Sequence, residues 1–429
     1  MNLVNEIYHK ITFENGFTYY IRSIPGFSGR VSMALIIKAG SMFESANERG
    51  VAHLLEHVQM DFHKTAMHPN IEFRAKAHTD FHETTFHLDC NNDFKTIGKC
   101  LEILGRIYKG KYLREEAFIG AKEDVLCEII RDESLNAKNR QLFSILLNGS
   151  SYLNSMAISD IESVNRLTYD DVTTFYDKWY VPCLSAVSLV GDFGNAKELR
   201  KYIRNIFGEI HNKKPPKITV NVNIPAYDTE TKKIFVDCSC KCGMEVYFKA
   251  TRKGFPYSDS ALEEIEENIV FNIISKQCGM LLADNLQQDF DVAYEKVFFD
   301  STYFFYLIQV KYEKIDQGFS ALMRDSLESF FKCIRNYINT ETISNALIEL
   351  NKDAGIHDEV YESIEAQDLI NECIYDYTGI KQLIPYNHKY MLFKKHLEVI
   401  APATVLSYIE YWMTGTDRVF IEKLQPYFR

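Results

Sequence analysis

An α+β fold in two tandem homologous domains, each a mostly antiparallel sheet packed with helices, is what this 429-residue sequence predicts. Three observations predict it. The basic, proline-rich run Asn212-Lys213-Lys214-Pro215-Pro216-Lys217 breaks both helix and strand patterns near the midpoint. The order of elements is the same on its two sides, strand-helix-strand-helix-helix, the mark of an internal duplication. Short alternating apolar runs, expected of strands, interleave with longer runs of helical period. The chain therefore divides into an N-terminal domain over residues 1–211, a linker over 212–228 and a homologous C-terminal domain over 229–429.

The first half opens with Ile11 to Phe13 and Phe17 to Ile21 flanking Asn15-Gly16, a hairpin signal because both turn residues tolerate positive φ. A strand over Val31 to Lys38 leads through a Gly-containing loop into a helix holding two histidines. Then come an alternating strand near Thr84 to Leu88, helices at Phe94 to Tyr108, Arg114 to Asp132 and Tyr169 to Trp179, and a closing strand at Ala186 to Val190. The second half repeats the plan, with a strand at Met244 to Lys249, a helix at Ala261 to Ser275 and a strand at Ser301 to Val310. Helices at Phe319 to Tyr337, Glu341 to Ala354 and Pro402 to Trp412 follow, and the last strand is Arg418 to Glu422.

Composition narrows the function classes. No stretch approaches the roughly 18 apolar residues of a membrane span, and Met1-Asn2-Leu3-Val4-Asn5-Glu6 lacks the basic and apolar blocks of a signal peptide. Ten cysteines without a secreted-scaffold rhythm suggest reduced thiols, so the expected location is cytoplasmic. A net charge of -11 argues against a nucleic-acid partner. Cys238, Cys240 and Cys242 alternate on a strand-like run and share one face there. Their C-x-C-x-C spacing is not that of a zinc knuckle, which favours a structural role as small buried residues.

Seven of the twelve histidines fall between His53 and His87, and the first two sit in His53-Leu54-Leu55-Glu56-His57. On a helix, residues four apart stack on one face, so His53 and His57 can offer ring nitrogens to one metal ion while Glu56 reaches a water bound to it. A carboxylate beside such a water suits hydrolysis of a peptide bond. The alternative from the same letters is two histidines and a glutamate on a solvated helix face. The second half's corresponding helix, Ala261-Leu262-Glu263-Glu264-Ile265-Glu266, has no histidine, so this chemistry belongs to one half only. A catalytic zinc takes three protein ligands and water, so a third must come from elsewhere.

The succession Gly40-Ser41, Asn47, Gly50, Ala52-His53-Leu54-Leu55-Glu56-His57, Ala77-His78-Thr79, Thr84-Thr85-Phe86 and Val125-Leu126-Cys127-Glu128-Ile129 resembles the pitrilysin or insulinase family of inverted-motif zinc peptidases. In size and two-domain build the chain is similar to the subunits of mitochondrial processing peptidase and their bacterial relatives. The resemblance implies Zn²⁺ held by His53, His57 and Glu128, with Glu56 as general base. Glu128 stands 71 residues after His57, slightly short of the family's usual spacing. Glu123 and Glu133 are the competing carboxylates, and a solvated carboxylate on a charged helix is the other reading of all three. The resemblance also implies a substrate-binding edge at Lys76, Ala77 and His78, where a peptide adds a strand.

Three departures carry information. The family's second glutamate, two turns before the ligand, is Ala121 here; the Asn that normally precedes Ala-x-Thr is Lys76; and the Arg expected seven residues before Tyr294 is Gln287. The family's Arg and Tyr reach the substrate and oxyanion of a facing active site, and Gln brings no charge. The implied protein is a zinc-dependent endopeptidase for short or unfolded peptides, the catalytic subunit of a heterodimer with a homologous partner, in peptide maturation. The alternatives are a non-catalytic peptide-binding or assembly subunit of the same fold, and an active homodimer.

Overall fold

The computed structural model describes residues 7–424 apart from 25, 28, 63–71, 156–160, 194–195, 211–223, 225–231, 236–241, 252–259, 299–302, 313–316, 357–364 and 414–417. The chain forms two compact units, Met1–Asn136 with Gly149–Asn223 and Ile364–Asn387, and Ala137–Asn148 with Ile224–Ser363 and His388–Arg429. The midpoint linker, Ile224 excepted, and Cys238 and Cys240 lie outside the described residues, as does the side chain of Cys242. The strands are β1 (Ile7–Thr12), β2 (Thr18–Ser23), β3 (Arg30–Ile37), β4 (Phe73–Thr79), β5 (Thr84–Asn91), β6 (Ser185–Gly191), β7 (Lys232–Phe235), β8 (Cys242–Thr251), β9 (Asp291–Phe298), β10 (Tyr303–Tyr312) and β11 (Arg418–Leu424). The longer helices are α1 (Val51–Met60), α2 (Phe94–Tyr108), α3 (Glu115–Arg131), α4 (Glu133–Leu146), α5 (Tyr169–Trp179), α6 (Ser260–Leu286), α7 (Gln317–Lys332), α8 (Thr340–Ile356), α9 (Ala366–Thr378), α10 (Tyr386–Val399) and α11 (Pro402–Met413).

The first unit is built on a sheet of order β1-β2-β6-β3-β5-β4, antiparallel except where β2 meets β6. The opening hairpin does not use Asn15 in the left-handed region. Gly16 alone takes positive φ, +90°, and the Asn15 side chain instead accepts from the Phe17 N–H at 3.0 Å and donates to the Phe207 carbonyl at 2.8 Å. Val31, Met33, Leu35, Phe86, Leu88, Val187 and Leu189 meet Leu54, Leu55, Ile97, Leu101 and Val125 in one core. Strands β2 and β6 are buried on both faces and β3 nearly so, because α9 covers the face away from that core. Arg22, fully buried, fastens α9 by donating to Glu372 at 2.6 Å and to the Leu369 carbonyl at 3.1 Å.

The second unit repeats the plan. Its sheet order β7-β11-β8-β10-β9 matches β2-β6-β3-β5-β4 strand for strand, including the single parallel pair, β7 with β11. Met244, Val246, Phe248, Ile308 and Val310 pack on Ile269, Ile273 and Leu327. The expected helix at Ala261 to Ser275 runs on to Leu286, because Cys278 and Leu282 continue its buried side. The expected helix at Phe319 to Tyr337 stops at Lys332 and resumes at Ile334. Helices α9 and α10 and strand β9 are additions to the sequence reading; β9 is an edge strand, with less apolar burial to mark it.

Candidate metal centre

The site begins at the loop after β3. A Cβ on Gly40 would lie 2.0 Å from the Asp80 carbonyl oxygen, so only glycine lets this loop rest on the β4–β5 turn, where the Ser41 N–H donates to that oxygen at 3.0 Å. Gly50, at φ +89°, turns the chain into α1. Both oxygens of Glu44 close the helix start, accepting from the Gly50 and Ala52 N–H groups at 2.9 Å each. Burial pushes the Glu44 carboxyl up to about 7 in spite of these bonds.

Leu54, Leu55 and Val58 bury one side of α1, leaving His53 and His57 on the side that packs on α3. Their Nε2 atoms are 3.2 Å apart. Glu128 Oε2, on α3, lies 3.3 Å from His57 Nε2 and 3.8 Å from His53 Nε2, and the three ligand atoms fall within 4.8 Å of one another. Ligands placed tetrahedrally at about 2.0–2.1 Å around zinc stand roughly 3.3 Å apart, so two imidazoles and a carboxylate at these separations fit the ion. Glu123 is exposed on α3, and the Glu133 side chain is outside the described residues.

Electrostatics distinguish the members of the group. Burial, with the charge of His57, pushes His53 down to about 4, leaving the ring uncharged near neutral pH with one of its two nitrogens free of a proton. Burial works against charge on His57 too, but the hydrogen bond it donates to Glu128 and the charges of Glu56, Glu128 and Asp124 outweigh it and raise its pKa. The hydrogen bond to His57 holds Glu128 below the usual carboxylate range. Glu56 faces inward, 6% exposed, and accepts from Thr79 Oγ1 at 2.8 Å. Burial pushes it up to about 7, against the pull of His57 and of Thr79.

Residues 27–149 match the family model described as insulinase (peptidase family M16), and residues 166–259 match the peptidase M16 inactive domain. The chain belongs to the insulinase family. A zinc protease PQQL-like protein of Arabidopsis thaliana is 28% identical over 246 residues, 52% of this chain and 25% of the relative. A probable zinc protease PqqL of Haemophilus influenzae is 27% identical over 233 residues, 49% of this chain and 24% of the relative. These matches thus span about a quarter of either relative's length. Among solved structures, the periplasmic protease PqqL of Escherichia coli superposes with a TM-score of 0.81 at 15% identity, over 99% of this chain and 48% of that one. A protease from Helicobacter pylori gives 0.73 at 16% identity, over 98% of this chain and 100% of that one. At such identities the superpositions speak for the fold.

Within this insulinase-family chain the remaining candidates divide between the two units. Lys76 and His78 are exposed on β4, and Ala77 between them is partly buried against the core. Tyr294 is on β9 in the second unit, its hydroxyl donating to the Asn268 carbonyl at 3.5 Å. Gln287 ends α6 at φ +55°, and its side chain donates to the Asp284 carbonyl at 2.6 Å. Ala121 is buried in the core. Sequence reasoning missed Glu44, whose role needs a loop that folds back on the helix start, and Asp124. One turn before Glu128, Asp124 brings the negative charge that position 121 lacks. An acidic residue four before the ligand was its available signal.

Proposed function

We propose that this chain is the catalytic subunit of a zinc-dependent endopeptidase acting on short or unfolded peptides. The observation that carries the reading is the convergence of His53, His57 and Glu128 beside the buried carboxyl of Glu56. Zinc held by those three residues would supply Lewis-acid polarisation of a peptide carbonyl. Glu56, with a pKa of about 7, is suited to take a proton from the attacking water and to give one to the departing amine. Thr79 fixes the orientation of Glu56. The relatives' designation as zinc proteases supports the choice of metal.

The reading extends to a cytoplasmic heterodimer engaged in peptide maturation, in which a homologous partner carries the arginine absent at Gln287. Tyr294, or its counterpart in the partner, would assist the oxyanion. Gln287 also favours a second reading, a peptide-binding subunit without turnover, because its amide is already engaged by Asp284.

Elemental analysis for zinc and cleavage of an unstructured peptide, with and without a co-expressed partner, test both readings on the native chain and Glu56→Gln. One zinc per chain in each, with cleavage by the native chain and its partner but not by Glu56→Gln with the same partner, is the expected result. A native chain that cleaves nothing beyond what Glu56→Gln cleaves, even with its partner, removes the peptidase reading.

A further inference from the structure

Strand β4 is the outermost strand of the first sheet, paired with β5 on one side, and among the described residues no strand covers its other edge. Its last residue, Thr79, holds Glu56, so this open edge runs up to the candidate catalytic carboxyl. An unpaired edge is a template for an extended peptide, whose alternate side chains fall on the same face as those of the strand.

The face it would share is unusual for a chain of net charge -11. Along β4 the side chains alternate: Phe73, Ala75 and Ala77 turn toward the core, whereas Arg74, Lys76 and His78 are exposed. Glu72 and Asp80, both exposed, bracket the row, and His78 lies 4.0 Å from Asp80. The side chains of Arg74 and Lys76 make no hydrogen bond or ion pair among the described residues. No cross-strand side chain is ion-paired with either, although the Asp89 carboxylate stands opposite Arg74. Asp89, opposite Arg74, accepts from Ser32 Oγ at 2.5 Å, and His87, opposite Lys76, is buried with Nε2 3.0 Å from Thr85 Oγ1.

We infer that Arg74 and Lys76 are specificity-determining residues that select peptides carrying two carboxylates in an i, i+2 arrangement, laid along β4 as an added strand. Spacing and charge both require it: two cations two residues apart on one strand face meet two side chains two residues apart on the next strand. The overall acidity of the protein would repel such a peptide elsewhere, so this row also fixes where it settles. The inference rests on the peptidase reading for its purpose but not for its test.

The test measures binding rather than turnover. Fluorescent ten-residue peptides with a Glu-Thr-Glu, Gln-Thr-Gln or Lys-Thr-Lys centre are titrated, by anisotropy, into the full chain carrying Glu56→Gln, and into the same chain with Arg74→Glu and Lys76→Glu. We expect the Glu peptide to bind about tenfold tighter than the Gln peptide at low salt, the scale of two exposed ion pairs, with the gap closing as salt rises. The double charge reversal should transfer the preference to the Lys peptide, a gain that a merely unfolded variant cannot show. Equal affinity for the Glu and Gln peptides, a Glu preference that survives the reversal, or no binding of any of the three overturns the inference. Absence of cleavage by the native chain with its partner, alongside an intact Glu preference, would instead sink the peptidase reading and leave this one standing.

Discussion

Thr79 Oγ1 donates to Glu56 Oε2 across 2.8 Å, joining the edge strand to the buried carboxyl of α1. That bond favours the ionised form of Glu56, while burial favours the neutral one. Thr79→Val keeps the shape and removes the donor. The acid limb of the kcat/KM profile should then move up by about half a unit, with kcat near pH 7 falling about tenfold. An unchanged pH profile would show that Glu56 is not the titrating base.

Asp124 acts on the site through charge. Its removal in Asp124→Asn should lower zinc affinity about fivefold in chelator competition, the scale of about 1 kcal/mol for an exposed charge acting on His57. Glu123→Gln, one residue away and equally exposed but not among the charges that act on His57, should leave the affinity within about twofold. Equal effects of the two would mean that general helix charge, not position, sets the affinity.

Glu83 gives a pH-dependent stability. Burial first, then the charge of Asp80, pushes its carboxyl up to about 8, with Lys38 pulling the other way. Its pKa is raised on folding, so the folded state holds a proton that the unfolded chain has released, and stability is lost as pH rises from about 4.5 to about 8. Glu83→Gln lacks this term. Its advantage in Tm over the native chain should be absent below about pH 4 and grow to about 2 °C by pH 8, of order 1 kcal/mol after allowance for partial exposure. A constant difference across that range would contradict the assignment.

Arg22 is fully buried, and its partner Glu372 lies on α9. Arg22→Met leaves Glu372 facing a sheet with no counter-charge, a change that costs about 3 kcal/mol for a buried pair. Limited proteolysis should cut the chain near residues 364–387 sooner in the variant, while the α1 site, on the other face, retains zinc. Simultaneous loss of both would indicate that the two faces do not fail separately.

Much of this was legible in the letters, for identifiable reasons. Helix α2 was readable from Phe94 to Tyr108 because its apolar residues recur with helical period against a polar remainder. The metal helix was readable because His53, Glu56 and His57 perform their roles through spacing along one helix. What stayed hidden depends on contacts distant in sequence. That α9 belongs with the first sheet requires knowing that Arg22 meets Glu372, 350 residues away. The local role of Gln287, closing a helix in the left-handed region, follows from where α6 ends, and the sequence reading stopped that helix at Ser275. The open basic row on β4 required knowing which strand lies outermost.

The order of strands has a consequence for how the protein is made. In each sheet the strand that comes last in sequence, β6 or β11, lies between two that precede it: β2 and β3, or β7 and β8. During synthesis each sheet must therefore wait with a slot between two unsatisfied edges, and the first also waits for α9 to cover its other face. Such a slot will accept any extended chain that reaches it. A nascent chain stalled before residue 185 or residue 418 is thus the form most exposed to capture by its neighbours on the same message.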